Sequence, residues 1–319
     1  MLSLLKLAIS FLPFTHTLAA VLPDPVTGNT SLHDPTLCKD DSGKYWLFSS
    51  GTGIEIRTST DRVEWENVGV MFPDGSPWAA PYIKGNTNGP LWAPDCTYIN
   101  GEFWVYYAAS TTGNLTSGIF LAKSSTGQPG SWTNEGLVTS TNDSSNYNAI
   151  DPNLIIDSDG KWYLSFGSFW DGIKLASLDP SSGKFSSQNL GSLARRNASD
   201  DNGAIEASTI YQNGTSYYLF TSWDKCCLGI NSTYNIRVGR SSNVTGPYVD
   251  QAGKPLLEGG GTQIFATHGS VIGPGGEDVL FDKDGPIIVY HYYTPGRDPI
   301  GVLGIDHLDF SSGWPIIVQ

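Results

Sequence analysis

The chain has 319 residues and a formal net charge of −13 at neutral pH, from 31 acidic and 18 basic residues. This length can bury one large core and does not require a division into two domains. The negative charge repels nucleic acid and anionic polymers, so these are excluded as partners and a neutral or weakly charged partner is expected.

The first residues have the features of a secretory signal peptide. A short apolar stretch runs to Leu12, and small residues follow at Ala19 and Ala20, where cleavage is expected. The stretch is too short to span a membrane, and no later run of about 20 apolar residues is present in the sequence. We predict a signal peptide at residues 1–19, one domain at 20–319, and a secreted, extracellular monomer with no membrane association.

After the signal peptide, aromatic and β-branched residues cluster in short runs, and long apolar stretches with helical periodicity are missing from the sequence. One unit recurs along the chain: an acidic residue at the head of a strand, a turn, and a second strand. Its copies are residues 34–37 with 43–48, 92–98 with 101–107, 151–156 with 160–164, 204–210 with 214–220, and 275–280 with 285–290.

Most copies continue with a third strand, and an aromatic residue often opens a fourth. Units of this kind at a period of about 40 to 70 residues are typical of propeller blades, which cannot bury both faces alone. The fold class predicted from the sequence is therefore all-β, a five-bladed β-propeller. A β-sandwich or a β-helix is the alternative.

Cysteines and glycosylation sequons are compatible with export. Four cysteines are too few for a disulfide scaffold. Because Cys226 and Cys227 are adjacent, either they bond to each other or one pairs with Cys38 or Cys96, and the sequence leaves this open. Glycosylation is predicted among the sequons at Asn29, Asn114, Asn142, Asn197, Asn213, Asn231 and Asn243.

The acidic heads of the copies predict a functional site. Inner strands of a propeller converge at the central axis, so one acidic cluster is expected from Asp34, Asp95, Asp151, Glu206 and Asp278. Repulsion among crowded carboxylates raises the pKa of at least one of them. Glycoside hydrolysis requires such a pair, with one protonated acid and one ionised carboxylate across the scissile bond. The alternative is that these residues, Asp95 and Asp278 above all, only bind turn amides.

Four motifs resemble those of glycoside hydrolase family 43 in order and spacing: His33-Asp34-Pro35, Trp92-Ala93-Pro94-Asp95, Ala149-Ile150-Asp151-Pro152 and Ala204-Ile205-Glu206-Ala207. The resemblance covers the chain from about residue 30 to its end. Residues 224–227, 231–234, 245–248, 258–262 and 290–293 are similar to the endo-1,5-α-L-arabinanases of that family in particular.

The resemblance implies an inverting mechanism with three carboxyl groups. Asp34 would be the general base that activates water, and Glu206 the general acid that protonates the leaving oxygen. Asp151 would raise the pKa of Glu206 and orient it. Inversion needs the base and acid carboxyls roughly 6.5 to 9.5 Å apart, so that a water fits between them.

Other side chains near the strand heads are candidates for binding the sugar. Trp92, Phe169 and Trp170 could stack on furanose faces, and core packing is the alternative for each. Hydroxyl groups could be bound by polar side chains at Asp95, Asn148, Asn153 and Arg195 or Arg196, for which ordinary turn or surface roles are the alternative.

A metal ion is expected from the resemblance, and this sequence departs from the pattern. Family arabinanases hold a hydrated ion, Ca or Na, on the axis through a His directly after Gly-Pro-Gly, whereas Gly276 follows Gly273-Pro274-Gly275 here. His268 is the predicted replacement, with His291 as another candidate. A structural role is the alternative for both histidines. The chemistry itself is expected to need no cofactor.

The function that the resemblance implies is endo-hydrolysis of α-1,5-L-arabinofuranosidic bonds in arabinan, the polysaccharide partner. An exo-acting α-L-arabinofuranosidase or β-xylosidase of the same family is the first alternative. A non-catalytic, sugar-binding propeller lectin is the second. A lectin would have near-identical binding repeats, whereas these copies differ and Glu206 alone replaces Asp at its head.

Overall fold

The computed structural model describes residues 22–297 and 299–318, so the predicted signal peptide lies outside the described residues. Five sheets surround a central axis, which confirms the predicted five-bladed β-propeller. The short helices are single 3-10 turns at Pro77–Ala79, Asp201–Gly203, Gly229–Asn231 and Leu256–Glu258. Among the described residues, no helix has the length and apolar character needed to cross a membrane.

The strands of the first two blades are β1 (Thr27–Gly28), β2 (Thr36–Lys39), β3 (Tyr45–Ser49), β4 (Gly51–Thr52), β5 (Glu55–Ser59), β6 (Glu64–Val70), β7 (Pro90–Ile99), β8 (Glu102–Ala109), β9 (Ser117–Ser124) and β10 (Thr133–Thr141). The order in the first blade is β1-β6-β5-β3-β2, and in the second β10-β9-β8-β7-β4.

The third blade comprises β11 (Asn153–Ile156), β12 (Trp162–Phe166), β13 (Ile173–Asp179), β14 (Lys184–Phe185) and β15 (Gly191–Ala194). The fourth comprises β16 (Ile205–Asn213), β17 (Ser216–Trp223), β18 (Asn235–Ser241) and β19 (Thr262–Phe265). The fifth comprises β20 (Ile272–Asp282), β21 (Gly285–Tyr293), β22 (Val302–Asp309) and β23 (Ile316–Val318).

Hydrophobic cores lie between neighbouring blades, one for each of the five interfaces. Strand β8 shows how the sequence produces them. Phe103, Val105 and Tyr107 belong to the core shared with the first blade, and Trp104 and Tyr106 to the core shared with the third. Side chains of a strand alternate between its faces, so a strand buried on both faces reads as a continuous apolar run.

The ring is closed where the fifth blade meets the first. Each inner strand contacts the next one around the axis, in the order β2, β7, β11, β16, β20, and β20 contacts β2. The segment before β2 joins both blades: the Asp24 amide donates a hydrogen bond to the Ile305 carbonyl at 3.0 Å, and β1 pairs in parallel with β6. The N-terminal segment therefore lies between the fifth and first blades.

All four cysteines form disulfide bonds. Cys38 on β2 bonds to Cys96 on β7, which links the inner strands of the first two blades within a buried core. Cys226 bonds to its neighbour Cys227 in the loop that follows β17. The alternatives left open by the sequence are thus decided in favour of the vicinal pair.

At or just before the cavity end of each inner strand, one equivalent position has left-handed backbone, and β20 also has Gly273 with a φ of 57°. The φ angles are 50°, 44°, 55°, 50° and 61° at Asp34, Ala93, Asp151, Ala207 and Gly276, in blade order. Left-handed backbone is uncommon for residues other than glycine, and it concentrates at functional sites. These equivalent positions show that Asp34 and Asp151 occupy the same place in their blades, and that Glu206 lies one residue earlier in its own.

Two residues beyond each of these positions, polar side chains form a deeper layer around the axis: Thr36, Asp95, Asn153, Thr209 and Asp278. Most accept an amide hydrogen from the next blade, as Asp95 does from Leu154 at 2.8 Å and Asn153 from Ile210 at 2.9 Å. The predicted single acidic cluster is therefore divided into two layers. Asp95 and Asp278 lie deeper because they are displaced by two residues from the strand heads.

Candidate active site

A cavity of about 810 Å³ opens at one end of the axis, and all five blades contribute residues to it. It brings together Asp34, Asp151 and Glu206, which are more than 50 residues apart in sequence. Five other predicted residues also line it, Trp92, Asn148, Asn153, Phe169 and Trp170, and Asp95 and Asp278 line its floor. His268, Arg195 and Arg196 are not among the lining residues.

One of the two side-chain oxygens of Asp34 accepts a hydrogen bond. Ser50 donates a hydrogen bond to Oδ2 at 2.5 Å, and among the described residues no donor is bonded to Oδ1. The Asp34 amide donates to Nδ1 of His291 at 3.2 Å. Burial lowers the pKa of His291 well below its usual value, so this imidazole is neutral and carries its proton on Nε2. Asp34 therefore keeps an oxygen that can accept a proton from water.

Glu206 is held by two hydroxyl groups. Tyr234 donates to Oε1 at 2.8 Å, and Ser168 donates to Oε2 at 2.7 Å. Burial raises the pKa of Glu206; the two hydrogen bonds oppose this shift and the nearby charge of Asp34 adds to it. Glu206 is therefore suited to carry a proton at a pH where an exposed carboxyl would be ionised.

Asp151 contacts the backbone beside Glu206. The Ala207 amide donates a hydrogen bond to Oδ2 of Asp151 at 3.0 Å. Burial raises the pKa of Asp151 well above its usual value, and the charges of Glu206 and Asp34 raise it further. Asp151 thus fixes the left-handed residue that follows Glu206, which orients the Glu206 side chain.

Glu277 is a fourth carboxyl that sequence reasoning missed. It lines the cavity, is 6% exposed, and accepts a hydrogen bond on Oε2 from Ser222 at 2.5 Å. Its Oε1 has no hydrogen-bond partner among the described residues. Burial raises the pKa of Glu277 to about 8. Its only sequence signal is its place directly after Gly276, at the head of the fifth copy.

Tyr234 is a second residue without a predicted role. It lies in a segment that carries the family resemblance, yet nothing in the sequence indicates its bond to Glu206. Burial raises the pKa of Tyr234 well above its usual value, and the charge of Glu206 raises it further. The phenol therefore stays protonated and acts as a hydrogen-bond donor.

Gly276 has no room for a side chain. A Cβ atom there would lie 2.7 Å from Oδ1 of Asp34 and 2.8 Å from Nδ1 of His291. The imidazole near the axis thus comes from β21 instead of the position after Gly-Pro-Gly. His268 lies elsewhere, with Nδ1 2.8 Å from the Ala266 carbonyl and its ring packed on Phe265.

Ligand atoms of His33, Asp34 and His291 lie within 4.8 Å of one another and form one candidate cation group. The donor set does not fit an ion well. Nδ1 of His291 already accepts the Asp34 amide hydrogen, and Nε2 carries the ring proton. We derive no chemical step through a metal ion.

The predicted sugar-binding residues differ in their surroundings. Phe169 and Trp170 both have left-handed backbone, and the Trp170 side chain is 44% exposed at the cavity. Oδ1 of Asn148 is buried without a hydrogen-bond partner among the described residues. All three residues line the cavity, and the Trp170 side chain is accessible to a ligand. Asn153 donates instead to Asp95 at 2.8 Å, so both belong to the polar layer.

Neither arginine is placed to bind a ligand directly. Arg195 lies 3.5 Å from Asp171. The Arg196 guanidinium stacks on Trp223 and pairs at 2.7 Å with Asp224, which lines the cavity. Arg196 therefore supports the cavity wall from behind.

Comparison with known proteins identifies relatives over nearly the whole chain. Extracellular endo-alpha-(1->5)-L-arabinanase 1 of Bacillus subtilis (strain 168) is 45% identical over 291 residues, which cover 90% of this chain and 88% of that protein. The structure of the GH43 endo-arabinanase from Bacillus licheniformis has a TM-score of 0.85 at 39% identity and covers 92% of this chain and 99% of its own.

A third relative is an exo-1,5-alpha-L-arabinanase from a bovine ruminal metagenomic library. Its crystal structure has a TM-score of 0.84 at 36% identity, covering 91% of this chain and 97% of its own. The family profile described as glycosyl hydrolases family 43 matches residues 23–315. With its five blades and its carboxyl-lined cavity, the chain belongs to glycosyl hydrolases family 43.

Proposed function

We propose that this protein is a secreted endo-1,5-α-L-arabinanase, which cleaves α-1,5-L-arabinofuranosidic bonds inside arabinan, a side chain of plant cell-wall pectin. One observation carries the proposal: a single cavity holds Glu206, a half-buried carboxyl with a raised pKa, and Asp34, a carboxylate with a free oxygen. The names of the relatives in Bacillus subtilis and Bacillus licheniformis support the substrate. Secretion is supported by the predicted signal peptide and by the word extracellular in the first of these names.

The mechanism that we propose inverts the anomeric configuration. Oδ1 of Asp34 accepts a proton from a water molecule as the water oxygen attacks the anomeric carbon. The bond to the leaving oxygen breaks on the opposite face, and Glu206 gives its proton to that oxygen. Asp34 ends protonated and Glu206 ionised, and exchange with solvent restores both.

The exo-acting alternative has one observation in its favour, the similarity to the rumen exo-arabinanase. We propose the same carboxyl groups of this chain for both modes. They differ in whether the cavity accepts the middle of a polymer, so the product sizes distinguish them.

The test is hydrolysis of linear arabinan by the purified protein, with the sizes of early products followed over time. An endo-enzyme releases a range of oligosaccharides from the first time points, whereas release of arabinose alone would contradict the endo assignment. Proton NMR of the first product reports its anomeric configuration, and retention would contradict inversion.

The catalytic assignment is tested with Asp34→Ala and Glu206→Ala. We expect each to lower kcat by roughly 10²-fold to 10⁴-fold, the usual contribution of general acid–base catalysis. Asp159→Ala is the matched control, because its carboxylate is 71% exposed on a turn. Wild-type rates in both cavity variants would overturn the assignment.

A further inference from the structure

The vicinal disulfide lies on the cavity wall, and the proposed mechanism does not use it. Cys226, Cys227 and Leu228 all line the cavity, and the Leu228 side chain is 51% exposed. They belong to the segment between β17 and β18, residues 224–234, named here the disulfide loop. An exposed leucine beside two sulfur atoms gives this wall an apolar surface continuous with the site of the proposed reaction.

The disulfide loop is held in one conformation. The amides of Thr233 and Tyr234 donate to the Lys225 carbonyl at 2.9 and 3.1 Å, and the Leu228 amide donates to Oγ of Ser232 at 3.0 Å. Cys227 has left-handed backbone, with a φ of 67°. The bond to Cys226 closes a small ring around the peptide between them, so the exposed sulfur surface cannot rearrange freely.

This apolar surface lies near both proposed catalytic carboxyls, those of Asp34 and Glu206. A ring nitrogen of His33, the residue before Asp34, lies within 4.8 Å of both sulfur atoms. At the other end of the disulfide loop, Tyr234 donates to Glu206. The loop of the fourth blade thus reaches across to the first blade, while the described residues of the fifth blade that line the cavity are Gly276, Glu277 and Asp278, at its floor.

A purely stabilising role accounts poorly for this bond. A disulfide stabilises a fold mainly by closing a long loop in the unfolded chain. The bonded residues are one position apart in sequence, so almost no loop is closed. What the bond does provide is a rigid surface on the cavity wall, and a surface that is already ordered binds a ligand at a lower entropic cost.

We propose that Cys226, Cys227 and Leu228 form a rigid apolar platform that binds the C–H face of one furanose unit of the substrate, beside the bond to be cleaved. This inference rests on the proposed function, because it assigns part of the sugar-binding surface of the same cavity. Furanose rings present C–H groups as well as hydroxyl groups, and sugar sites combine apolar contacts with a few polar ones.

The first experiment measures binding without turnover. In a Glu206→Gln background, the affinity for arabino-oligosaccharides is measured by calorimetry, with and without Cys226→Ser and Cys227→Ser together. We expect binding about fivefold to tenfold weaker in the double-serine protein, the loss that follows from exposing one apolar face. Phe281→Ala is the matched control, because this side chain is 71% exposed and is not among the residues that line the cavity.

The second experiment separates contact from positioning in the active enzyme. We expect the double-serine variant to raise KM fivefold to tenfold with a much smaller change in kcat, and Leu228→Ala, which keeps the disulfide, to raise KM twofold to threefold. A fall in kcat at unchanged KM would indicate that the bond only positions Tyr234 and would overturn the proposal. Unchanged KM and affinity in both variants would overturn it too.

The wild-type protein allows a reversible version of the test. A water-soluble phosphine should reduce Cys226–Cys227 first, because Cys227 is exposed whereas Cys38 and Cys96 are 6% and 8% exposed. Alkylation and mass analysis identify the reduced pair. The reduced enzyme should show the raised KM, and reoxidation should restore it. If the wild-type protein neither hydrolyses nor binds arabinan, the proposed function fails. If the wild-type protein is active but loss of the disulfide leaves KM and affinity unchanged, only the platform proposal fails.

Discussion

At the scale of single residues, four carboxyl groups of one cavity have four different surroundings. Asp34 accepts one hydroxyl hydrogen bond and keeps an oxygen free, while Glu206 accepts two. Asp151 accepts a backbone amide, and Glu277 is buried with one oxygen unpaired. Burial and hydrogen bonding decide which carboxyl holds a proton, so chemically similar side chains can serve as base, acid and support.

Tyr234→Phe tests how the pKa of Glu206, the proposed general acid, is set. The hydrogen bond from Tyr234 lowers the pKa of Glu206 against the effect of burial, so its loss should raise that pKa. Glu206 would then keep its proton to higher pH. We expect the alkaline limb of kcat/KM to move up by roughly one pH unit, the effect of losing one hydrogen bond to a charged group.

The measurement is the pH profile of kcat/KM for both proteins. Tyr98→Phe is the control, because its hydroxyl contacts Asp41 at the surface, 3.3 Å away. An alkaline limb that moves down or stays in place would contradict the assigned role of Tyr234.

At the scale of elements, the left-handed residue at the head of each inner strand sets which side chains reach the cavity. Asp34 and Asp151 are themselves these residues, whereas Glu206 directly precedes Ala207. Asp95 and Asp278 come two residues later and bind amides in the polar layer. Side chains of a strand change face at every residue, and a shift of two residues moves a side chain along the same face to a deeper level of the axis, so a shift of one or two positions changes the surroundings of a carboxyl.

The two disulfides should differ in their effect on stability. Cys38–Cys96 joins the inner strands of two blades and closes a loop with a sequence separation of 58. Replacing both cysteines by alanine should lower the free energy of unfolding by about 2 to 4 kcal/mol while kcat and KM stay close to wild type. The double-serine variant of Cys226–Cys227 should lose much less stability.

Urea unfolding followed by tryptophan fluorescence measures both losses, with kinetics on the same preparations. The expectation fails if removing Cys226–Cys227 lowers the free energy of unfolding more than removing Cys38–Cys96 does. It also fails if removing Cys38–Cys96 lowers kcat without lowering the free energy of unfolding.

At the scale of the whole molecule, buried carboxyls make stability depend on pH. Burial raises the pKa of Asp95 and Glu277 to about 8 and that of Asp306 to about 7. Their pKa values in the unfolded chain are about 4. Between these values the unfolded chain has lost the protons that the native protein retains, so the free energy of unfolding falls as pH rises.

We therefore expect the protein to be most stable in mild acid and to lose several kcal/mol between about pH 5 and pH 8, since each such group contributes up to about 1.4 kcal/mol per pH unit. Against the effect of burial, hydrogen bonds from Lys39 and Tyr45 lower the pKa of Asp282 to about 2, and a hydrogen bond from Arg62 lowers the pKa of Asp284. These two carboxylates therefore oppose the trend only in strong acid. Unfolding free energies from urea titrations at several pH values test the expectation. Glu277→Gln should flatten the slope, and stability that rises with pH would contradict it.

The fold could be predicted because the sequence features that specify it lie within short segments of the chain. Apolar runs such as 103–107 and 217–220 repeat with turns between them, and each run by itself specifies a strand buried on both faces. The same repeats locate Asp34, Asp151 and Glu206 at strand heads, and a propeller necessarily brings strand heads together. Sequence thus determined the five blades and the three carboxyls of the cavity.

The remaining features depend on contacts between distant parts of the chain. The amide of Asp34 meets His291 across 257 positions, and Ser222 meets Glu277 across 55. Which cysteines bond, that Gly276 leaves space for an imidazole from β21, and that Tyr234 holds Glu206 follow from how the blades pack around one axis. No local pattern records these contacts, because the side chains that form them come from different blades. Tertiary structure alone decided them.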